Sequence, residues 1–292
     1  MKIMKIVLTV SLIFVIFSMT PCGEVQCQER SVNPRTLNWD QTSEDYSKYR
    51  PGYPDGYFLL LQELGIGLKN QDILDIGTGT GALALPFAKQ GAHVTGVDIS
   101  KGQIEAAKTL ASQKKLNVRF IVAKAEETNL PDKSFDVITA SMCWGYLDQK
   151  KMPEEAARLL RKNGLLLISS LNWERDGDTI TQRTGELLKK YGSERKHQRR
   201  REAGSIIPEW SKEKFRLKTY HTYYVTIPFT KESWRGRIRA SRGVGAILSR
   251  EKTEEFDREH QKLLDDIGKG HFDIKHRITL YIFELKSNDK NP

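Results

Sequence analysis

The sequence predicts an open, doubly wound α/β sheet of mostly parallel strands, and three observations lead there. Segments of strand length alternate with helical segments from Asp72 to Ser170. The strand segments, such as Ile73-Leu74-Asp75-Ile76 and Leu165 to Ser170, are too apolar to leave one face wet, as a sheet covered on both faces requires. The first of them runs into Gly77-Thr78-Gly79-Thr80-Gly81, a turn that lets backbone approach a ligand closely before a helix begins.

Taken in order, Asn33 to Arg50 reads as polar and irregular, and Arg50-Pro51-Gly52-Tyr53-Pro54 interrupts regular structure before a helix from about Asp55 to Leu64. Phe58, Leu61 and Leu64 form the apolar face of that helix. After the strand at Ile73 to Ile76, Ala82 to Gln90 is helix-like and ends at Gly91, with Pro86 inside it expected to produce a kink. A strand over Val94 to Val97, a helix near Gly102 to Lys115, strands over Val118 to Val122 and Phe135 to Ala140, and a helix over Lys151 to Leu160 continue the alternation. Gly164 opens the strand Leu165 to Ser170. Right-handed crossovers then place helices on both faces. The last third changes character: a polar stretch Asn172 to Ser211, a strand pattern Thr219 to Phe229, helices near Lys231 to Arg239 and Arg250 to Asp266, and a strand Arg277 to Leu285. The two late strands are expected to close one edge of the sheet.

A chain of 292 residues, 38% hydrophobic and 29% charged, can bury one sizeable core but not two full domains. No repeat or low-complexity tract points to a solenoid, a propeller or a disordered protein. The net charge of +10 suits an anionic partner without choosing its kind. Much of the excess lies between Lys189 and Arg201, where only Tyr191 interleaves the charges, so this stretch reads as a solvated segment and no nucleic-acid partner is expected. Lys2 and Lys5 precede an apolar run from Ile6 to Phe17, the plan of a leader, so residues 1–30 are expected to form a signal peptide or membrane anchor. The run is shorter than the ~20 residues that span a bilayer comfortably. Cys22 and Cys27 can pair outside the cytosol, whereas Cys143 reads as a buried thiol.

Chemistry concentrates at Asp75-Ile76-Gly77-Thr78-Gly79-Thr80-Gly81, at the carboxyl end of the first strand. Asp75 inside that strand would repel a dinucleotide pyrophosphate and welcome an ammonium or sulfonium, which favours S-adenosylmethionine over NAD. Asp98 ends the second strand, placed to accept both hydroxyls of a ribose, a feature NAD enzymes share. With these stand Tyr46 before Arg50-Pro51-Gly52-Tyr53-Pro54, Ala125-Glu126-Glu127-Thr128-Asn129-Leu130-Pro131, Ser134-Phe135-Asp136, and Trp144 with Asp148. On this set the chain, from about Tyr46 to Leu171, resembles the class I S-adenosylmethionine-dependent methyltransferases, in particular the methyltransferase type 11 and trans-aconitate methyltransferase-like group.

The resemblance implies a Rossmann-like, seven-stranded, mostly parallel sheet with helical cap insertions: a cofactor-binding core over residues 31–171, and an acceptor cap with closing strands over 172–292. It implies that Asp75 and the backbone of Gly77, Thr78 and Gly79 hold the methionine part, Asp98 the ribose, Ile99 the adenine face, and Ala125 with Glu126 the adenine edge, where an amide donor beside a carboxylate acceptor can read the base. Tyr46 and Arg50 would clamp the cofactor carboxylate, and Trp144 would stand at the rim where acceptor meets methyl group. Lys124 departs from the family pattern, which often has an aspartate there, and leaves adenine recognition to Glu126. In the late helix Arg235, Arg239 and Arg242, at i, i+4 and i+7, are expected on one face, suited to an acceptor carboxylate. His93 and His221 read as structural. The expected activity is methyl transfer to a small molecule, a carboxylate among the candidates; the alternatives are an NAD-dependent oxidoreductase and a non-catalytic, basic, membrane-tethered binding protein. A leader argues for tethering or export, while use of S-adenosylmethionine argues for access to the cytoplasm.

Overall fold

The computed structural model describes residues 37–175, 178–193 and 207–286, so the leader-like segment, the Cys22 and Cys27 pair and most of the basic stretch lie outside the described residues. The alternation becomes β1 (Asp72–Ile76), α3 (Ala84–Lys89), β2 (His93–Asp98), α4 (Lys101–Gln113), β3 (Val118–Val122), β4 (Phe135–Ser141), α5 (Lys151–Leu159) and β5 (Leu160–Trp173). Ahead of it stand α1 (Ser43–Tyr49) and α2 (Asp55–Glu63); behind it come α6 (Thr179–Lys190), β6 (Phe215–Thr230), α7 (Lys231–Arg239), α8 (Arg250–Ile267) and β7 (His271–Leu285).

One seven-stranded sheet forms in the order β3-β2-β1-β4-β5-β7-β6, with β1 to β5 parallel and β7 antiparallel to both its neighbours. The order turns outward in both directions from β1 and β4, so the crevice at their carboxyl ends is where a ligand belongs. The late strands close the edge as expected. Two apolar clusters cover the sheet: Tyr57, Phe58, Leu61, Phe87 and Ile278 on one face, Leu74, Ile138, Trp144, Met152 and Phe283 on the other. A third cluster, with Phe229, Trp234, Ile238 and Phe256, is the core of the cap built by α6, α7 and α8.

Three sequence expectations need correction. Residues 43–49 are helical, not irregular; no residue of α1 is fully buried, so it has no apolar stripe to betray it. The polar stretch after Asn172 contains α6, whose buried face is partly Thr181, Thr184 and Gly185, which blunts the hydrophobic period. Pro86 produces no kink: α3 begins at Ala84, which puts the proline in the first turn, where a missing N–H costs nothing.

Candidate active site

Asp75 is 2% exposed at the end of β1, and each of its carboxylate oxygens accepts from a threonine: Oδ2 from Thr78 Oγ1 at 2.7 Å, Oδ1 from Thr139 Oγ1 at 2.6 Å. Burial pushes this carboxyl up to about 6 against the opposing pull of both hydroxyls, and the nearby Asp98 adds to the rise. A buried acid that burial alone would not retain marks a place built for a cation. Gly77 and Gly79 follow at φ +59° and +54°, a conformation costly for other residues. At Gly77 a Cβ would lie 2.7 Å from Cys143 Cβ. Cys143, half-buried rather than fully buried as the sequence implied, donates its thiol to the Ile76 carbonyl at 3.1 Å, and desolvation pushes that thiol well above its ordinary range.

Asp98, at the end of β2, locks the glycine turn: Oδ2 accepts from Gly79 N and Oδ1 from Ser100 N, both at 2.9 Å. Each oxygen keeps a further lone pair for a hydroxyl. Burial raises this carboxyl above its ordinary value, with the amides of Ser100, Gly79 and Ile99 opposing. Ile99 beside it is 61% exposed, an apolar face offered at the crevice. Ala125 is buried, and Glu126 Oε1 accepts from Asp148 N at 2.9 Å, so that carboxylate is positioned by the loop that carries Trp144. Trp144 is 8% exposed and packs on Trp210, 4.8 Å between ring centroids, within the cluster that holds Leu74 and Ala125. Packing is its visible role.

The segment before Pro51 crosses the crevice. Tyr46 stands over Gly79, its ring 3.6 Å from where a Cβ would be, and the Arg50 guanidinium stacks on Tyr46 at 4.7 Å. Asp40 accepts from Ser100 Oγ and Gly102 N at the start of α4, which pins this segment to the turn after Asp98. The structure thus brings Tyr46, Arg50, Asp75, Gly77, Thr78, Gly79, Asp98 and Ile99 to one sheet edge.

The arginine face does not form as the spacing suggests. The helix ends at Arg239, so Arg242 falls outside it and stacks on Tyr146 at 5.5 Å. Arg235 donates to both oxygens of Asp257, and Arg239 donates to both oxygens of Asp45 at 2.8 Å and to Asp257 at 2.8 Å. The anions that Arg235 and Arg239 call for are supplied by the protein itself, from α8 and α1. Burial would raise Asp257, but the two guanidinia hold it below its ordinary range.

Sequence reasoning also passed over a polar ladder on the face of the sheet that α2 covers. Tyr53 Oη lies 2.8 Å from Ser141 Oγ and 3.3 Å from Ser169 Oγ, and Tyr57 Oη donates to Ser169 Oγ at 2.9 Å, with the two rings stacked at 4.0 Å. Tyrosines and serines inside apolar runs read as packing in sequence; only the sheet register collects them.

The fold is the Rossmann-like α/β fold of methyltransferases. Residues 73–164 match the family model described as Methyltransferase domain. The chain is similar to the ubiquinone biosynthesis O-methyltransferase of Coxiella burnetii, 36% identical over 111 residues, 38% of this chain and 47% of that protein. The protein of the same name from Pelagibacter ubique is 41% identical over 106 residues, 36% of this chain and 44% of that one. The chain therefore spans about half the length of the curated relatives it matches. A structure assigned as a type II methyltransferase from Anaeromyxobacter dehalogenans superposes with a TM-score of 0.56 at 21% identity, covering 80% of this chain and 97% of that one, a likeness of fold.

Proposed function

We propose that the chain transfers the methyl group of S-adenosylmethionine to a small-molecule acceptor by in-line displacement. The observation that carries this reading is Asp75: a buried carboxylate fixed by two threonine hydroxyls beside a glycine backbone no side chain could replace. That arrangement fits a cationic amino-acid group, while Asp98 fits a ribose diol and the exposed Ile99 an adenine face. When bound, the sulfonium supplies an electrophilic methyl group. The chain's own part is alignment: the turn after β1 fixes the donor end, Tyr46 and Arg50 close over it, and the cap excludes water.

Acceptance by oxygen is supported by the names of the matched O-methyltransferases. A carboxylate acceptor loses its main support, since Arg235 and Arg239 are already paired with Asp257 and Asp45. Among the described residues no helix is long and apolar enough to cross a membrane. Tethering or export through residues 1–30 is part of the proposal, tested by fractionation and by sequencing the mature N-terminus. The activity is tested by transfer of labelled methyl groups to small acceptors, alongside thermal shifts with S-adenosylhomocysteine and NADH. Stabilisation by the adenosyl ligand alone supports the reading; stabilisation by NADH alone favours an oxidoreductase, and by neither a non-catalytic protein.

A further inference from the structure

His276 is fully buried on β7, and its ring is committed to one tautomer. Nδ1 lies 2.9 Å from the Ile274 carbonyl, which can only accept, so Nδ1 carries the proton and Nε2 carries a lone pair. Nε2 has no hydrogen-bond partner among the described residues, and neither does the buried Tyr223 Oη. Burial pushes the imidazolium down to about 4, and Arg237 of α7 and Arg50 of the α1–α2 connection oppose its charging, while the hydrogen bond to Ile274 favours it. The ring is thus neutral at physiological pH, its acceptor nitrogen bare and within electrostatic reach of the Arg237 and Arg50 guanidinia. Such groups are rare unless something fills them.

Register places these atoms above the cofactor turn. Ser169 pairs with Leu280; one step on, Leu171 and Tyr223 flank Ile278; one step further, Trp173 and Val225 flank His276. Directly paired residues share a face, so Ser169, Tyr223 and His276 climb one side of the sheet at about 6.7 Å per two residues. Ser169 pairs with Ser141, the residue after Ala140, which pairs with Ile76; the ladder therefore begins level with the glycine turn. Tyr57 binds Ser169 and lies within electrostatic reach of both Asp75 and Tyr223. The walls are aromatic: Phe229 stacks on His276 at 5.9 Å, and Trp173 stands in the same row.

Resting on the methyl-transfer reading, we propose that the acceptor is an uncharged, hydroxylated aromatic ring bound on this face, its hydroxyl donating to His276 Nε2, with Tyr223 Oη the second polar contact. As a lone pair of the hydroxyl oxygen forms the new O–C bond, the hydroxyl proton passes to Nε2 and the C–S pair returns to sulfur, leaving a methyl ether and a thioether. His276 is then the base for an acceptor that is not ionised in solution.

The test compares phenol and catechol, neutral at about pH 8, with 4-nitrophenol, mostly ionised there, in the full chain and in His276→Phe, His276→Gln and Tyr223→Phe. His276→Phe is expected to lose about 100-fold on the neutral phenols and under about threefold on 4-nitrophenol, with S-adenosylhomocysteine affinity unchanged within about twofold. His276→Gln, which keeps an acceptor atom at the side-chain end, recovers about a tenth of the lost rate or more, and Tyr223→Phe loses about tenfold on the neutral phenols. Equal losses on all three acceptors, or no loss, overturn the proposal. So does a protein that binds S-adenosylhomocysteine but methylates benzoate and no phenol. Failure of the unsubstituted chain to bind S-adenosylhomocysteine is a different result, and it takes the methyl-transfer reading down as well.

Discussion

Replacing Asp75 by asparagine should make the free protein more stable and the liganded one weaker. The carboxyl is raised from its ordinary 3.8 to about 6, chiefly by burial. At 1.36 kcal/mol per tenfold, the ionised form at neutral pH is disfavoured in the fold by roughly 3 kcal/mol. Asparagine keeps the shape and carries no charge, and Thr78 and Thr139 hydroxyls can turn to accept from its amide. A rise of about 5 °C in Tm is expected, below the full value because one acceptor becomes a donor. The sign with pH follows from the raised value: this carboxyl's contribution favours the fold fully below about 3.8 and is lost as pH climbs through about 6. The gap in Tm between variant and parent should therefore be widest at pH 7 and about half as large at pH 5. Affinity for S-adenosylmethionine moves the other way, falling about 10- to 100-fold with the loss of a charge-assisted contact. Differential scanning calorimetry at the two pH values, with titration calorimetry at pH 7, reads all of this. A variant that melts lower than its parent at pH 7 and binds the ligand equally well would refute the reasoning.

Other perturbations discriminate parts of the site. Asp257→Asn takes a partner from both Arg235 and Arg239 and should cost about 2 kcal/mol in a urea melt; because the carboxyl is held low, the parent's advantage should vanish as pH falls through the acid range. Gly77→Ala meets Cys143 at 2.7 Å and a φ of +59°, so it should reduce S-adenosylhomocysteine affinity at least tenfold in titration calorimetry, with a loss of about 2 kcal/mol in stability. Ile99→Ser removes a side chain already 61% exposed; Tm should change by less than about 2 °C while affinity for the adenosyl ligand falls several-fold.

Much of this architecture is legible in the residues themselves, and the exceptions share a physical cause. β1 is plain because Ile73, Leu74 and Ile76 are apolar around the single acid Asp75, and α7 begins at a reciprocal N-terminal cap between Thr230 and Ser233. Where burial is carried by small or polar residues, as by Thr184 and Gly185 in α6, hydrophobic periodicity goes quiet. The ends of β5 and β7 extend past their apolar cores into the cap, where Asn172, Trp173 and His276 break the pattern while the ladder of hydrogen bonds continues. At the site, Asp75, Gly77, Gly79 and Asp98 fall within a short span whose spacing encodes one sheet edge. The arginine face misled because its partners are remote: Asp257 lies on another helix and Asp45 near the other end of the chain, a pairing that only tertiary structure creates. His276 and Tyr223 went unnoticed for the same reason, since alternation along a strand looks alike whether a residue packs or binds.

The most direct measurement is titration calorimetry of the full chain with S-adenosylhomocysteine, repeated on Asp98→Asn. Binding in the micromolar range, weakened tenfold or more in the variant while Tm holds within a few degrees, is what a ribose-binding Asp98 beside the cation-binding Asp75 demands. No heat from the unsubstituted chain, or equal heat from both proteins, would contradict it.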